Sequence, residues 1–568
     1  MKRWGKRFVT LCAVILTASL AFAGSPKLSK DLEGKNASDQ VDVIVQFKQA
    51  PTAQHHQKVL NRGGKLKAEL GFVKGGAYSV PAAALADLAA DPDVAYISPD
   101  RPVQATATLD YYDATVNAQI GWNLGYTGTG IGVAVIDSGI ASTTDVSSRI
   151  VYSMNFAGGI GGSASDTYGH GTHVAGIVGG NGTNSAGSNY FYTFKGIAPN
   201  VNLINLRVLD KNGAGYESDV ILAIDKAISL KSTYNIRVIN LSVGRPVYES
   251  YVLDPLCQAV ERAWKAGIVV VVAAGNEGRN NSANTSGYGT ITAPGNDPYV
   301  ITVGAMKTLG TSNRADDQVA SYSSKGPTLY DHLVKPDLVA PGNRIISLYK
   351  AGMTLPNSYP GNEIPYSLYQ VNGNSTRSSA YYSLSGTSMA APMVSGTVAL
   401  MLQKNPALTP DQVKARLMKS AYKVFPQYST ATDPTTGNTY TSQYDIFTVG
   451  AGLLDVQAAL SSTDLAPSTS GSAMSPAVAV DASGNVVLVN GSSVVWGTSV
   501  VWGTSVVWGT SVVWGTNVSG QSVLWGSSVC WGSSTTQGYS VVWGTSVVWG
   551  TSSFASTEAS AIAINGEN

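Results

Sequence analysis

Ile131-Gly132-Val133-Ala134-Val135-Ile136-Asp137-Ser138-Gly139 is an apolar run that ends on an aspartate in a Ser-Gly turn. No polar residue interrupts it before Asp137, so it lacks the alternation of a half-buried strand and reads as a strand covered on both faces. Related runs occur at 201–209, 236–242, 267–274 and 300–305, and helix-period segments at 173–179, 217–230, 255–266 and 388–403. Apolar strands alternating with helices predict an α/β fold, a doubly wound and mostly parallel sheet with helices on both faces. In such sheets functional groups gather at the carboxyl ends of the strands. Asp137 and Asn276 both fall at or just past such ends.

The chain around this region is long enough for several domains: 568 residues, against the roughly 100 to 200 of one. Net charge is +1 and only 13% of residues are charged. Nothing in that balance points to nucleic acid as a partner. Residues 1–23 place Lys2, Arg3, Lys6 and Arg7 before an apolar run from Phe8 to Leu20, followed by Ala21-Phe22-Ala23, the pattern of a secretory signal peptide cut after Ala23. The apolar run is shorter than the ~20 residues of a spanning helix. Of three cysteines, Cys12 lies in the leader; Cys257 and Cys530 do not make a disulfide framework, and Cys257 reads as a small core residue.

Residues 40–106 read as a small α+β unit, with strands at 41–47, near 76–80 and at 94–97, an alanine-rich helix at 81–90, and a basic segment holding His55 and His56. Residues 110–462 carry the alternating pattern. From 470 to 568 the composition turns to Ser, Thr, Gly, Val and Trp, and Val-Val-Trp-Gly-Thr-Ser recurs: eight of the eleven tryptophans lie here, Trp496, Trp502, Trp508 and Trp514 being six residues apart. An even period puts all the rings on one face of an extended strand, and Gly-Thr-Ser corners also suit a solenoid. The tail reads as a packed β-repeat or low-complexity stalk, with contact to a cell surface or polysaccharide as its functional alternative.

Five histidines narrow the search for a general base. His55 and His56 lie in the first unit and His332 in a loop without a nucleophile motif, which leaves His170 and His173 in His-Gly-Thr-His. As metal ligands this pair lacks the intervening glutamate of a zincin helix and an evident third ligand. His170, between Gly169 and Gly171 where a helix begins, is the better base, and His173 points into the packing. Asp137 buries a carboxylate that an imidazole N–H would satisfy; a structural carboxylate capping a turn is the other reading. Ser388, in Gly386-Thr387-Ser388-Met389-Ala390-Ala391-Pro392, opens a helix and, taken alone, suits a helix cap. Asn276, in Ala273-Ala274-Gly275-Asn276-Glu277-Gly278, suits either a turn or an amide donor to an oxyanion shared with the Ser388 N–H.

Together, Val-Ile-Asp-Ser-Gly-Ile, His-Gly-Thr-His-Val-Ala-Gly, Gly-Ile-Ala-Pro, Val-Ile-Asn-Leu-Ser-Val-Gly, Ala-Ala-Gly-Asn-Glu-Gly and Gly-Thr-Ser-Met-Ala-Ala-Pro stand in the order of the subtilisin-like serine proteases, which residues 110–462 resemble. The resemblance implies catalytic residues Asp137, His170 and Ser388, with Asn276 at the oxyanion. It implies a substrate-pairing edge at Ser242, Val243 and Gly244, and specificity-pocket walls at Ala273, Ala274 and Gly275 and at Thr292-Ala293-Pro294-Gly295. Small, uncharged walls imply apolar or aromatic substrate side chains, with Glu277 near the rim. The run 91–100 is similar to the end of a subtilase propeptide. The first unit is then an intramolecular inhibitor removed between Val103 and Tyr111. No cofactor is implied for the chemistry. Structural calcium is common in such proteins, and Asp145 resembles one contributor, although no complete ligand set is readable and the loop 181–193 is rearranged. The stretch 342–385 is longer than its counterpart in compact subtilisins and is expected to rim the cleft. The rival to a secreted protease is a catalytically silent adhesin that uses the tail.

Overall fold

The computed structural model describes residues 25–29, 35–71, 74–100, 115–282, 285–433 and 437–480, with Leu32, short strands between 486 and 531, Ile562 and residues 564–567. The leader, the expected maturation region and Trp496, Trp502, Trp543 and Trp549 lie outside the described residues. The chain divides into two units, Met1–Ala107 and Thr108–Asn568.

In the first unit, β1 (Gln40–Phe47), β2 (Lys65–Leu70), β3 (Gly75–Pro81) and β4 (Val94–Pro99) form one antiparallel sheet in the order β2-β3-β1-β4. Helices Ala53–Leu60 and Leu85–Ala90 complete it. Its core is Val43, Val45, Phe47, Val59, Tyr78, Val80, Leu88 and Ile97. His56 is buried against Tyr78, its Nδ1 2.6 Å from the hydroxyl. Two elements differ from the reading above: the basic segment is helical, and β2 is an additional strand. β2 is an edge strand whose residues are mostly exposed, so it shows no apolar run.

The second unit is built on an eight-stranded sheet. β5 (Gly132–Asp137), β6 (Ile150–Asn155), β7 (Asn202–Arg207), β8 (Ile236–Leu241), β9 (Val269–Ala273), β10 (Ile301–Lys307) and β11 (Gln318–Val319) follow the order β11-β10-β9-β8-β5-β7-β6, and β12 (Leu338–Pro341) also pairs with β10. Every pair is parallel except β10 with β11. The chain leaves β5 toward β7 and β6 and then returns to add β8, β9 and β10 on its other side. The winding therefore reverses at β5, and the crevice at a reversal lies beyond the strands' carboxyl ends. Asp137 ends β5, Ser242 follows β8 and Asn276 follows β9.

Helices Glu217–Ser229 and Pro255–Lys265 pack on one another, as do His170–Gly179 and Thr387–Lys404. The first buries Val220, Ala223, Ile224 and Ala227, one stripe at helical spacing. The last is buried on all sides from Met389 to Leu402, which matches its lack of polar spacing. The Cys257 thiol is buried and donates to Asn296 Oδ1 at 3.3 Å, and burial pushes its pKa up.

The long stretch before Ser388 folds as a three-stranded antiparallel sheet of β13 (Ile345–Leu348), β14 (Glu363–Pro365) and β15 (Arg377–Leu384). Its short helix Thr354–Ser358 meets the loop before His170, where Leu355 N–H donates to Tyr168 O at 2.9 Å. Residues 464–478, beyond the expected limit at 462, pack on the body: Val334 N–H donates to Pro476 O, and Ser475 Oγ to Asp337 at 2.6 Å. Within the repeat, Val500–Val501, Val506–Trp508 and Val513–Trp514 pair antiparallel, as do Val523–Trp525 and Val529–Trp531. Among the described residues of the repeat the pairing is that of a meander, and connections of three or four residues are too short for the crossover that parallel pairing needs.

Candidate active site

Asp137 is fully buried, and both its oxygens face His170 Nδ1, at 2.8 and 3.0 Å. Since a carboxylate only accepts, Nδ1 carries the proton and Nε2 is left as the basic nitrogen. Burial pulls the His170 pKa down, but the charge and hydrogen bond of Asp137, with Asp166 behind, outweigh it and leave the pKa above its ordinary value. The close approach needs Gly171, where a Cβ would stand 2.3 Å from Gly139 O and 3.1 Å from Asp137.

His170 begins its helix, three residues before the start expected from the sequence, because Asp166 caps that end. Asp166 Oδ1 accepts from Ser138 Oγ, Tyr168 N and Gly169 N at 2.8 to 2.9 Å, and Oδ2 from Thr172 N and Oγ1 at 2.9 and 2.7 Å. Ser138 Oγ in turn accepts from Gly171 N at 2.9 Å. One carboxylate thus joins the turn after Asp137 to the turn before His170. The sequence reading missed it; its signal was an acidic residue just ahead of a helix start. His173 lies in the core, with Nε2 3.0 Å from both Ile345 O and Tyr382 O, and burial drives its pKa down to about 3. It is neutral at any working pH.

Ser388 sits in the first turn of its helix, where the helix offers its N–H no acceptor. Its hydroxyl donates to Ser242 O at 3.2 Å, and Ser242 Oγ donates to Ser388 O at 2.9 Å. Pro392 makes the second bond available, because it lacks the N–H that would otherwise bond the carbonyl four residues earlier, that of Ser388. The motif's proline therefore joins the serine to the strand end that carries Ser242.

Asn276 Oδ1 accepts from Thr387 N at 2.9 Å and Thr387 Oγ1 at 3.1 Å. A backbone N–H can only donate, so the atom it meets is the amide oxygen, and the Asn276 NH₂ is left to donate elsewhere. Gly386 has φ +144°, and a Cβ there would lie 3.2 Å from that nitrogen. Gly275 N–H donates to Thr387 Oγ1 at 3.1 Å, so the Ala273–Gly275 wall is tied to the same residue. The opposite wall is attached through Thr292 N to Ala274 O at 3.0 Å, and Arg245 and Ala293 exchange backbone bonds of 3.0 and 2.8 Å, which closes the Ser242-Val243-Gly244 edge against it. The structure thus places Asp137, Ser242–Gly244 and Ala273–Asn276 at or just past the ends of β5, β8 and β9, His170 and Ser388 at the starts of two helices, and Thr292–Gly295 against the Ala273–Gly275 wall.

Asp145 is placed differently from the calcium expectation. Its carboxylate accepts from Tyr381 OH at 2.9 Å and Asn184 N at 2.7 Å, and the Arg149 guanidinium binds its carbonyl. Donors and a cation occupy the positions where calcium needs oxygen acceptors, so Asp145 does not fit that ion. No group of three or more His, Cys, Asp or Glu among the described residues could hold a metal.

A strand-end carboxylate paired with an imidazole, together with a serine in the first turn of another helix, is the residue set a serine hydrolase on an α/β fold uses. The model of the subtilase family matches residues 128–452, more than half of the chain, and the chain belongs to that family. It is a serine-type endopeptidase. The serine protease AprX of Bacillus subtilis is 41% identical over 304 residues, covering 52% of this chain and 62% of that protein. Subtilisin E of the same species is 33% identical over 460 residues, covering 79% and 97%. A thermostable alkaline protease of Halalkalibacterium halodurans is 33% identical over 337 residues, covering 59% and 74%.

Proposed function

We propose that the protein is a secreted endopeptidase that cleaves peptide bonds through an acyl-enzyme on Ser388, and that it is made as a zymogen. The observation that carries this is the pairing of Asp137 with His170 Nδ1, which leaves Nε2 as a base. The Ser388 hydroxyl leaves Ser242 O by rotation about χ1, gives its proton to Nε2 and attacks the scissile carbonyl. The oxyanion takes hydrogen bonds from the Asn276 amide and the Ser388 N–H. His170 then protonates the leaving amine, and water repeats the sequence in reverse to free Ser388. Asp137 holds the imidazole in place and stabilises the imidazolium.

The substrate lies along Ser242–Gly244 as an added strand, with a side chain between the walls Ala273–Gly275 and Thr292–Gly295. Residues 1–23 direct export, and the unit 40–106 inhibits until it is cut off between Val103 and Tyr111. The chemistry needs no cofactor; a structural calcium, a family trait, would bind away from Asp145. The repeat tail serves surface or polysaccharide attachment. Casein hydrolysis with and without a serine-reactive phosphonate tests the activity: cleavage abolished by the phosphonate and by Ser388→Ala is expected, and correctly matured protein that does not cleave would refute it. Amino-terminal sequencing of the active form tests maturation, with a start at Gly24 as the refuting result.

A further inference from the structure

Glu567 is fully buried although it follows a serine-rich repeat. Its Oε1 accepts from Arg279 Nη2 at 2.8 Å, from Ser321 N at 2.9 Å and from Ser321 Oγ, and Lys307 Nζ lies 3.5 Å from Oε2. The backbone around it is held as closely. Glu567 N donates to Asn343 Oδ1 at 2.7 Å, Asn343 Nδ2 to Glu567 O at 2.9 Å, Arg344 Nε to Asn565 O at 3.2 Å and Asn362 Nδ2 to Ile564 O. Upstream, Ile562 is buried in the core of the catalytic body. Two cations, three backbone-reading side chains and an apolar socket make a built receptor for one short segment, and none of it is used by the chemistry above.

The receptor touches the supports of the two oxyanion groups. Arg279 comes three residues after Asn276, and between them Gly278 N donates to Tyr322 O at 2.8 Å. Tyr322 OH donates to Gly342 O at 2.9 Å, and the same carbonyl accepts from Gly386 N at 2.7 Å, two residues before Ser388. Asn343 and Arg344 follow Gly342 directly, and Arg344 N donates to Ser385 Oγ at 2.8 Å. The far side of Arg279 reaches Asp433, and its guanidinium lies 4.9 Å from the Tyr440 ring.

We infer that the segment Ile562–Glu567 is an intramolecular clamp: its carboxylate holds the loop that presents Asn276, and its backbone holds the turn that leads to Ser388. The pocket of Arg279, Lys307, Ser321 and Asn343 is then a receptor for an Ile-Asn-Gly-Glu peptide, and loss of this segment from the chain lowers turnover. The link to turnover rests on the roles proposed for Asn276 and Ser388; the receptor itself does not. A site loosened by about 1 Å loses up to about 100-fold in rate, so Glu567→Gln in the full chain is expected to lower kcat about tenfold or more, with KM within twofold because the Ser242–Gly244 edge is untouched.

Gly566→Val is the second variant. A Cβ there would stand 2.5 Å from Ser385 Oγ at φ +59°, so it lifts the segment without altering the pocket. A synthetic peptide Ala-Ile-Ala-Ile-Asn-Gly-Glu-Asn added to either variant is expected to restore kcat, and the same peptide with Gln for Glu is not. Fluorescence anisotropy of the labelled peptide on a full-length Ser388→Ala, Gly566→Val protein measures binding without catalysis. Wild-type kcat in both variants, or no binding of the peptide, would overturn the clamp. Peptide binding by a protein in which Ser388→Ala remains active would sink the nucleophile assignment and leave the receptor standing.

Discussion

Asn276 can turn only one way, because Thr387 N–H demands its oxygen, and that single constraint leaves its NH₂ to serve as the donor proposed for the oxyanion. Two substitutions separate the aiming from the donating. Asn276→Asp keeps an acceptor for Thr387 but has no N–H to donate; Asn276→Ala loses both. Each is expected to lower kcat by about 10² to 10³, a magnitude known from a subtilisin, with little change in KM, and steady-state kinetics on a peptide substrate checks it. The pH dependence follows from His170. Only neutral His170 can accept the Ser388 proton, and its pKa is raised above the ordinary 6.5. Activity is therefore expected to fall with acidification from a higher pH than an unperturbed histidine would give. Asp137→Asn removes the charge that raises it and leaves burial, so the acid limb moves to lower pH while kcat drops by about 10⁴. A kcat/KM profile in which the limb stays fixed contradicts the assignment. At this scale the residue types were legible in order and spacing, since so few histidines compete. Asp166 was not, because its function depends on five donors converging on one carboxylate from two separate turns.

Pro392 shows how a helix can be broken to advantage. Without its N–H the Ser388 carbonyl is free, and Ser242 takes it. In Pro392→Ala an N–H is restored that competes for that carbonyl, which loosens the bond between helix and β8. A neutral hydrogen bond contributes about 1 kcal/mol, so kcat is expected to fall about fivefold while thermal stability is unchanged or higher; equal kcat in the two proteins would show that the bond has no part in positioning. Elements were legible where burial was complete. β5, β8 and β9 fall inside the apolar runs and β10 begins inside its own and outruns it by two residues, because strands covered on both faces are mostly apolar. Boundaries shifted where side chains from elsewhere decided them, as Asp166 did for the helix His170–Gly179. The exposed edge strand β2 was missed for the opposite reason, since its charges face solvent.

At the scale of the molecule, buried charge joins distant segments. Asp337 is buried with Lys335 Nζ at 2.7 Å and Lys414 Nζ at 3.1 Å, and Lys414 also donates to Pro298 O, Val300 O and Ser475 Oγ at 2.8 to 3.0 Å. This cluster fastens the helix Pro410–Ser420 and residues 473–478 to the sheet. Removing one partner of a buried pair destabilises by about 3 to 5 kcal/mol, because the remaining charge is left without compensation. Asp337→Asn, which leaves both buried lysines without their paired carboxylate, is expected to lower stability by that amount, read by guanidinium unfolding in a Ser388→Ala background; a change below about 1 kcal/mol would mean the cluster is not a fastener. None of this was legible along the chain, where a lone lysine in a helix reads as a solvated residue.

The sequence by itself determined the class of fold and the family, and it put forward Asp137, His170, Ser388 and Asn276 as candidates, because uninterrupted apolar strands and short turn motifs are local patterns that survive in one dimension. Only the tertiary structure decided which end of the Asn276 amide is anchored, why Pro392 follows Ser388, that Asp145 is spent on Tyr381 and Asn184, and that Glu567 lies beside Arg279. These depend on donors and acceptors that lie up to 288 residues apart in the chain. Burial makes most polar groups find a partner, but which partner each finds is settled by the packing of the sheet and its helices.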